Sequence, residues 1–362
     1  MKVAFVLGTR PEIIKLSPII NKIKKNECTV IYTGQHYDFD MSQRFIRDLG
    51  MRQPDYKMKL TKLQNTTSDR ATQTGEIILK LAKILSDIKP DTVLVQGDTN
   101  TVLAAAVTSI KCNIPVTHVE SGLRSHDWRM PEEHNRIAVD HISELLFAPT
   151  IMAKNILQQE RIHGKIHVTG NTSIDAVEEN FFKAEKMKTL NNIEEPFILA
   201  TFHRGENVDN KIILHSIIGA LMDSPIKVIF PAHPRTVQRL AQFGLLENVK
   251  NSKKISILPA VGYFDMLYLL KKCEFVVTDS GGLQEEATSP KIRKKVLIVR
   301  KTTDRPEALK TGHSELVSID KQEILKTIKR TIKNPKIPSK SSPYGTGNAA
   351  VKILAILKNY YL

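Results

Sequence analysis

Short continuous runs of Val, Leu, Ile and Phe alternate along this chain with longer stretches whose apolar residues recur every three or four positions. Val3–Leu7, Thr29–Tyr32, Thr92–Val95 and Val116–Val119 read as strands buried on both faces, the pattern of a parallel sheet. Pro11–Ile23, Ile77–Ile88, Asn100–Ile110 and Ile137–Leu145 read as the helices between and after them. The pattern resumes further on. Strands are expected at Phe197–Ala200, Lys227–Phe230, Ser256–Leu258, Phe275–Val277 and Val296–Val299, and helices at Ile212–Met222 and Phe264–Lys271. Such alternation predicts βαβ units and a doubly wound α/β fold.

At roughly 100–200 residues per domain, 362 residues suit two or three domains. A junction near Thr169–Asp175, followed by the polar stretch Lys183–Pro196, suggests an N-terminal domain over residues 1–172 and a C-terminal domain over 173–346. The turn Pro343–Gly347 precedes a helical tail, residues 347–362, expected to pack back on the first domain. Two such domains imply a cleft, and ligands of these folds bind beyond the carboxyl ends of the strands.

Lys plus Arg number 53 against 38 Asp plus Glu, a formal charge of +15 that suits an anionic partner or simply a well-solvated surface. Aromatic residues make up 6% and do not interleave with the lysines, which argues against a nucleic-acid surface. Cys28, Cys112 and Cys273 lie far apart, so neither a disulfide framework nor a cysteine zinc site is expected. The first apolar run is too short for a signal peptide, and no stretch nears the roughly 20 apolar residues of a membrane span. A soluble cytoplasmic protein without a metal site is the expectation.

The chemistry-bearing motifs sit where strands end. Gly8-Thr9-Arg10-Pro11-Glu12 follows the first strand and places Arg10, with Lys15 about a turn further on, where a phosphate or carboxylate could be met. Gln96-Gly97-Asp98-Thr99, His118-Val119-Glu120 and Pro131-Glu132-Glu133-His134-Asn135-Arg136 bring carboxylates into neighbouring loops. Any one of them suits helix capping; gathered in one place, they suit general acid–base work. His203 and His233 each end a strand of the second half. In Asp279-Ser280-Gly281-Gly282, small residues open a helix and would let its amides approach a diphosphate, with Arg305 available to neutralise it and Glu286 to meet a ribose diol. The segment is neither a Walker A nor a GxGxxG motif, which argues against a nucleoside triphosphate or NAD.

Taken in order, these motifs, with Thr169-Gly170-Asn171-Thr172, His203-Arg204-Gly205-Glu206-Asn207 and Arg305-Pro306-Glu307-Ala308, resemble the non-hydrolysing UDP-N-acetylglucosamine 2-epimerases over essentially the whole chain. The resemblance implies two Rossmann-like domains of the glycosyltransferase-B kind. It implies interconversion of UDP-N-acetylglucosamine and UDP-N-acetylmannosamine through UDP and 2-acetamidoglucal, with no cofactor, and a homodimer. It places Asp98, Glu120, Glu132 and His203 on catalytic positions. It places Arg10, Lys15, Arg136, His233, Ser280, Gly281, Gly282, Glu286 and Arg305 on substrate-binding positions.

Three departures stand out. Ser289–Lys295 is a basic insertion where the family commonly has a shorter turn, and it reads as a solvated loop. Gly262–Met266 matches the family's uracil segment poorly, and Tyr37-Asp38-Phe39-Asp40 after Gln35-His36 differs from the pattern of members activated by their own substrate. The rival readings are a hydrolysing epimerase that releases UDP and N-acetylmannosamine, a nucleotide-sugar glycosyltransferase and, more remotely, a nucleic-acid-binding protein.

Overall fold

The computed structural model describes residues 1–35, 39–61, 68–186, 193–334 and 340–361, with the backbone alone for residues 39–42. The chain divides into two units. Residues 1–176 with 344–362 form the first, and residues 177–343 the second.

Among the described residues the first unit holds a seven-stranded parallel sheet in the order β3-β2-β1-β4-β5-β6-β7. Its strands are β1 (Val3–Leu7), β2 (Cys28–Tyr32), β3 (Tyr56–Lys57), β4 (Thr92–Gln96), β5 (Val116–Val119), β6 (Leu145–Ala148) and β7 (Lys165–Val168). Every residue of β1 and β4 is buried, as their unbroken Val and Leu runs require in a sheet covered on both faces. Val6, Ile31, Val93 and Val95 of the sheet pack with Leu81, Leu85, Val102 and Val139 of the helices.

Among its described residues the second unit holds a six-stranded parallel sheet in the order β10-β9-β8-β11-β12-β13. Its strands are β8 (Phe197–Thr201), β9 (Lys227–Pro231), β10 (Ile255–Leu258), β11 (Val276–Thr278), β12 (Val296–Val299) and β13 (Ser314–Val317). Its core joins Ile198, Phe230, Val277 and Leu297 to Leu214, Ile218 and Ile328. Each sheet reverses its order of growth once, between β1 and β4 and between β8 and β11. The loops that leave those strands are the switch points at which open α/β sheets bind ligands.

Among the described residues proline starts a helix at four strand-end loops, in Arg10–Ile20, Pro131–Ile142, Pro234–Gln242 and Pro306–Lys310. Its fixed φ suits the first turn, and its missing N–H costs nothing there. The tail helix Ala349–Tyr361 belongs to the first unit: Asp175 accepts from the amides of Ala349 (3.1 Å) and Ala350 (2.9 Å). Gly170 and Gly345 let the two segments touch, since a Cβ on Gly170 would lie 3.0 Å from the Tyr344 carbonyl.

Two expectations change. The helix read over Ile137–Leu145 runs instead from Pro131 to Ile142, and Leu145 opens β6. Ser143 is extended (φ −90, ψ 140), and the apolar run behind it is a fully buried strand. The helix read from Ile77 begins at Asp69, because its first two turns, apart from Gln73, are not buried and so carry no apolar stripe. His36, Tyr37 and Asp38, and the side chains of Phe39 and Asp40, lie outside the described residues, as does 187–192 of the polar stretch. No described helix is long and apolar enough to cross a membrane.

Gly122 follows β5 with φ +81, and a Cβ there would stand 2.5 Å from the Ala153 carbonyl. Gly122→Ala combines left-handed strain with a backbone clash and is expected to cost about 2–4 kcal/mol. Chemical denaturation measures it, and an unchanged midpoint would contradict the turn geometry described.

Candidate active site

In the first unit the loop after β1 is built on Glu12. Thr9-Arg10-Pro11-Glu12 has the spacing of a capping box, and Glu12 reaches back to accept from the Gly8 and Thr9 amides and from the Thr99 hydroxyl. Gly8 has no room for a side chain, since a Cβ would lie 2.2 Å from Thr33 Oγ1 and 2.4 Å from Thr101 Oγ1. Burial pushes the Glu12 carboxyl up to about 7, against the pull of those hydrogen bonds. Arg10, beside it, lies half-buried over the Phe45 ring at 5.9 Å.

Asp98 stands beyond β4, its carboxylate ion-paired with the buried Arg136 and its carbonyl accepting from Asn135 Nδ2 at 2.9 Å. Arg136 also meets Glu133 at 3.1 Å. Glu120 leaves β5 in the left-handed region (φ +67), a conformation that a non-glycine residue holds only when its surroundings impose it. Its carboxylate pairs with the buried ammonium of Lys15 and accepts from Asn171 Nδ2 at 3.2 Å. Glu132 is half-buried in the first turn of Pro131–Ile142, and its side chain makes no hydrogen bond or ion pair among the described residues.

Adjacent Glu133 does different work. It accepts from the Ser125 amide and hydroxyl and the His126 amide, and so fastens the loop ahead of its own helix. Asp140 fastens the loop after β5, accepting from the Gly122 amide (3.1 Å) while pairing with His118 and Arg124. Burial alone would raise Asp140; the hydrogen bonds and charges of His118 and Arg124 overcome it and hold the carboxyl below its usual range.

In the second unit Asp279 is the corresponding anchor. Fully buried, it accepts from the amides of His203 (3.1 Å) and Arg204 (3.1 Å) and from Asn207 Nδ2 (3.1 Å). It thereby joins the loop after β8 to the loop after β11. His203 Nδ1 lies 3.5 Å from the same carboxylate, its ring centroid 6.1 Å from that of His233. His233 is exposed, and its Nδ1 accepts from the Arg235 amide at 3.2 Å.

Ser280 precedes the helix Gly281–Glu286 without capping it, and its amide donates to Thr278 Oγ1. First-turn amides have no acceptor within their own helix. Arg305 lies across that turn: a Cβ on Gly281 would be 3.4 Å from its Cζ. Glu285 (2.7 Å) and Asp304 hold the guanidinium, and Asp304 is in turn met by Arg300 at 3.4 Å, which pairs with Glu206 at 2.8 Å. Amides and guanidinium together form a site for an anion. Glu286 is buried near Tyr263, whose phenol is held well above its usual range by burial and then by the charges of Glu286 and Glu179.

The structure thus brings Asp98 to Arg136, Glu120 to Lys15, His203 to His233, and Gly281 to Arg305. The anchoring roles of Glu12, Glu133, Asp140, Asp279 and Glu285 are missing from the motif reading; only Glu12 carries a local signal, its capping-box spacing. The basic insertion corrects the expectation of a solvated loop. Ile292 is buried, Lys291 Nζ donates to the Glu178 carbonyl at 2.6 Å and sits 4.5 Å over Phe182, and Ser289 Oγ donates to Glu178 at 2.5 Å. Among the described residues no three His, Cys, Asp or Glu side chains are grouped so as to hold a metal ion.

A family model described as UDP-N-acetylglucosamine 2-epimerase matches residues 20–358. A UDP-N-acetylglucosamine 2-epimerase of Methanocaldococcus jannaschii is 41% identical over 370 residues, spanning 99% of both chains. One of Methanococcus maripaludis is 40% identical, spanning 98% of both. The crystal structure of the M. jannaschii enzyme in complex with UDP-GlcNAc and UDP superposes with a TM-score of 0.91, covering 99% of this chain and 100% of that one.

The Glu12 carboxyl makes a stability prediction. Folded, it keeps its proton to about pH 7; unfolded, it loses it near 4.5. The folded state therefore binds more protons between those values, and its stability falls as pH rises through that window, by an amount on the order of 3 kcal/mol. Glu12→Gln keeps acceptor and donor for the loop without a titrating proton. Denaturation curves from pH 4.5 to 7.5 are expected to show a shallower fall for the variant, and parallel slopes would contradict the assignment.

Proposed function

The chain belongs to the UDP-N-acetylglucosamine 2-epimerase family, and from that membership we propose that it interconverts UDP-N-acetylglucosamine and UDP-N-acetylmannosamine by inverting carbon 2. The observation that supports this best is the division of chemistry between the two units. Asp98 and Glu120 follow β4 and β5 and Glu132 lies in the first turn of Pro131–Ile142, all in the first unit, while first-turn amides and Arg305 make an anion site beyond β11 in the second.

The reaction needs both. The hydrogen on carbon 2 is not next to a carbonyl, so it is not acidic in the ground state. Breaking the bond from carbon 1 to the diphosphate oxygen leaves oxocarbenium character at carbon 1, which acidifies that hydrogen. A carboxylate then removes it, giving 2-acetamidoglucal and UDP, with the bond electrons on the leaving diphosphate. A proton delivered to the opposite face of carbon 2, and return of UDP to carbon 1, complete the epimer. In this reading Asp98, Glu120 and Glu132 handle the two proton transfers and the sugar hydroxyls. His203 stands near the departing diphosphate, and Arg10, Lys15, Arg136, His233, Ser280, Gly281, Gly282 and Arg305 bind substrate, with Glu286 on the ribose diol. The diphosphate must stay bound between the halves of the reaction, and the guanidinium fastened by Glu285 and Asp304 suits that task. A homodimer is part of the proposal.

In heavy water, incubation with UDP-N-acetylglucosamine is expected to place deuterium at carbon 2 and to yield the manno epimer without accumulating free UDP. UDP released in step with N-acetylmannosamine would establish the hydrolysing reaction instead. Asp98→Asn, Glu120→Gln and Glu132→Gln are each expected to lower kcat by about 10²–10⁴ while UDP still binds. Near-normal rates in all three would overturn the assigned roles.

A further inference from the structure

His118 is the middle of β5, fully buried, and both of its ring nitrogens meet acceptors. Nδ1 lies 2.7 Å from Asp140 Oδ1, and Nε2 lies 2.8 Å from the carbonyl oxygen of Gly97. A carbonyl cannot donate, so Nε2 carries a proton. The proton between Nδ1 and Asp140 Oδ1 belongs to the ring, because the Arg124 guanidinium and the Gly122 amide, both on Oδ2, favour the ionised carboxylate. A neutral imidazole has one N–H, and this arrangement uses two.

From this geometry we propose that His118 is a standing imidazolium and the positioning residue for Asp98, a role that rests on the reaction proposed above. The charges around it balance. His118 and Arg124 are the cations, and Asp140, with Glu160 on the far side of Arg124 at 2.8 Å, are the anions. A neutral ring would leave that buried network one positive charge short, and low dielectric makes such a deficit costly. The carbonyl it grips belongs to the peptide that leads into Asp98. Gly97 (φ +83) donates its amide to the Val119 carbonyl at 3.2 Å, so the residue is held at both ends. Asn135 then takes the Asp98 carbonyl, and Arg136 its carboxylate. With the plane before Asp98 fixed by His118 and the plane after it by Asn135, its backbone has one orientation. Displacement of a reacting group by about 1 Å can cost about 10²-fold in rate.

Nitrogen-15 NMR of histidine-labelled protein tests the assignment on the intact chain. The His118 signals are identified by their absence from His118→Gln and their displacement in Asp140→Asn. Two protonated ring nitrogens are expected at neutral pH, and a pyridine-type nitrogen there would overturn the proposal whatever the catalytic activity. Asp140→Asn keeps an acceptor for Nδ1 but removes the negative charge. A pyridine-type nitrogen is therefore expected to appear in that variant at neutral pH, with a lower kcat. In His118→Gln, kcat is expected to fall about 10–100-fold with UDP affinity by calorimetry unchanged, because the anion site lies in the other unit. Unchanged kcat, or UDP affinity lost in parallel, would refute the positioning role. A wild-type chain without epimerase activity would refute the reaction and leave the imidazolium to be decided by its spectrum.

Discussion

A buried carboxylate with backbone amides on its oxygens is the interaction on which the rest depends. A parallel sheet delivers its strands to one edge, but the loops that leave that edge have no ladder to hold them. Here the loops after β1, β5 and β8 are tied down by buried acids. Glu12 takes the amides of Gly8 and Thr9, Glu133 those of Ser125 and His126, Asp140 that of Gly122, and Asp279 those of His203 and Arg204. Such bonds to a charged or strongly polar acceptor are worth more than neutral ones, and losing the acceptor would leave buried N–H groups unpaired. The loops can therefore be irregular, as with Glu120 at positive φ, and still hold each side chain in a fixed orientation.

This explains why some of the chemistry was legible in the sequence and some was not. Strands such as Val3–Leu7 and Val296–Val299 announce themselves because full burial demands an unbroken apolar run. β6 was hidden behind a helix, because Leu145–Ala148 continues its apolar character across the extended Ser143. The motifs marked which loops matter, but not which acid does what. Glu132 and Glu133 are adjacent and chemically alike, yet one is fastened to four donors and the other has none among the described residues. Only the folded loop, which carries Ser125, His126 and Arg136 onto Glu133 and not onto Glu132, separates an anchor from a reactive group. Asp279, whose partners lie more than seventy positions earlier, shows this most clearly.

Charge behaves in the same way. The surplus of +15 says nothing about the cations that matter, which are spoken for: Lys15 by Glu120, Arg136 by Asp98 and Glu133, Arg305 by Glu285 and Asp304. Even the basic insertion is a fastening, laid against Glu178 and Phe182. Pairing of this sort fixes a guanidinium's plane before a ligand arrives, so little ordering remains to oppose binding.

The account stands or falls on a sugar–oxygen bond that opens while the diphosphate remains in place. UDP-N-acetylglucosamine carrying oxygen-18 only in the bridge between carbon 1 and the β-phosphorus tests this directly. If UDP leaves and returns without escaping, the label spreads to the non-bridging oxygens of the β-phosphate as epimerisation proceeds, and added unlabelled UDP does not dilute it. Label that stays in the bridge while carbon 2 exchanges its hydrogen would contradict the account.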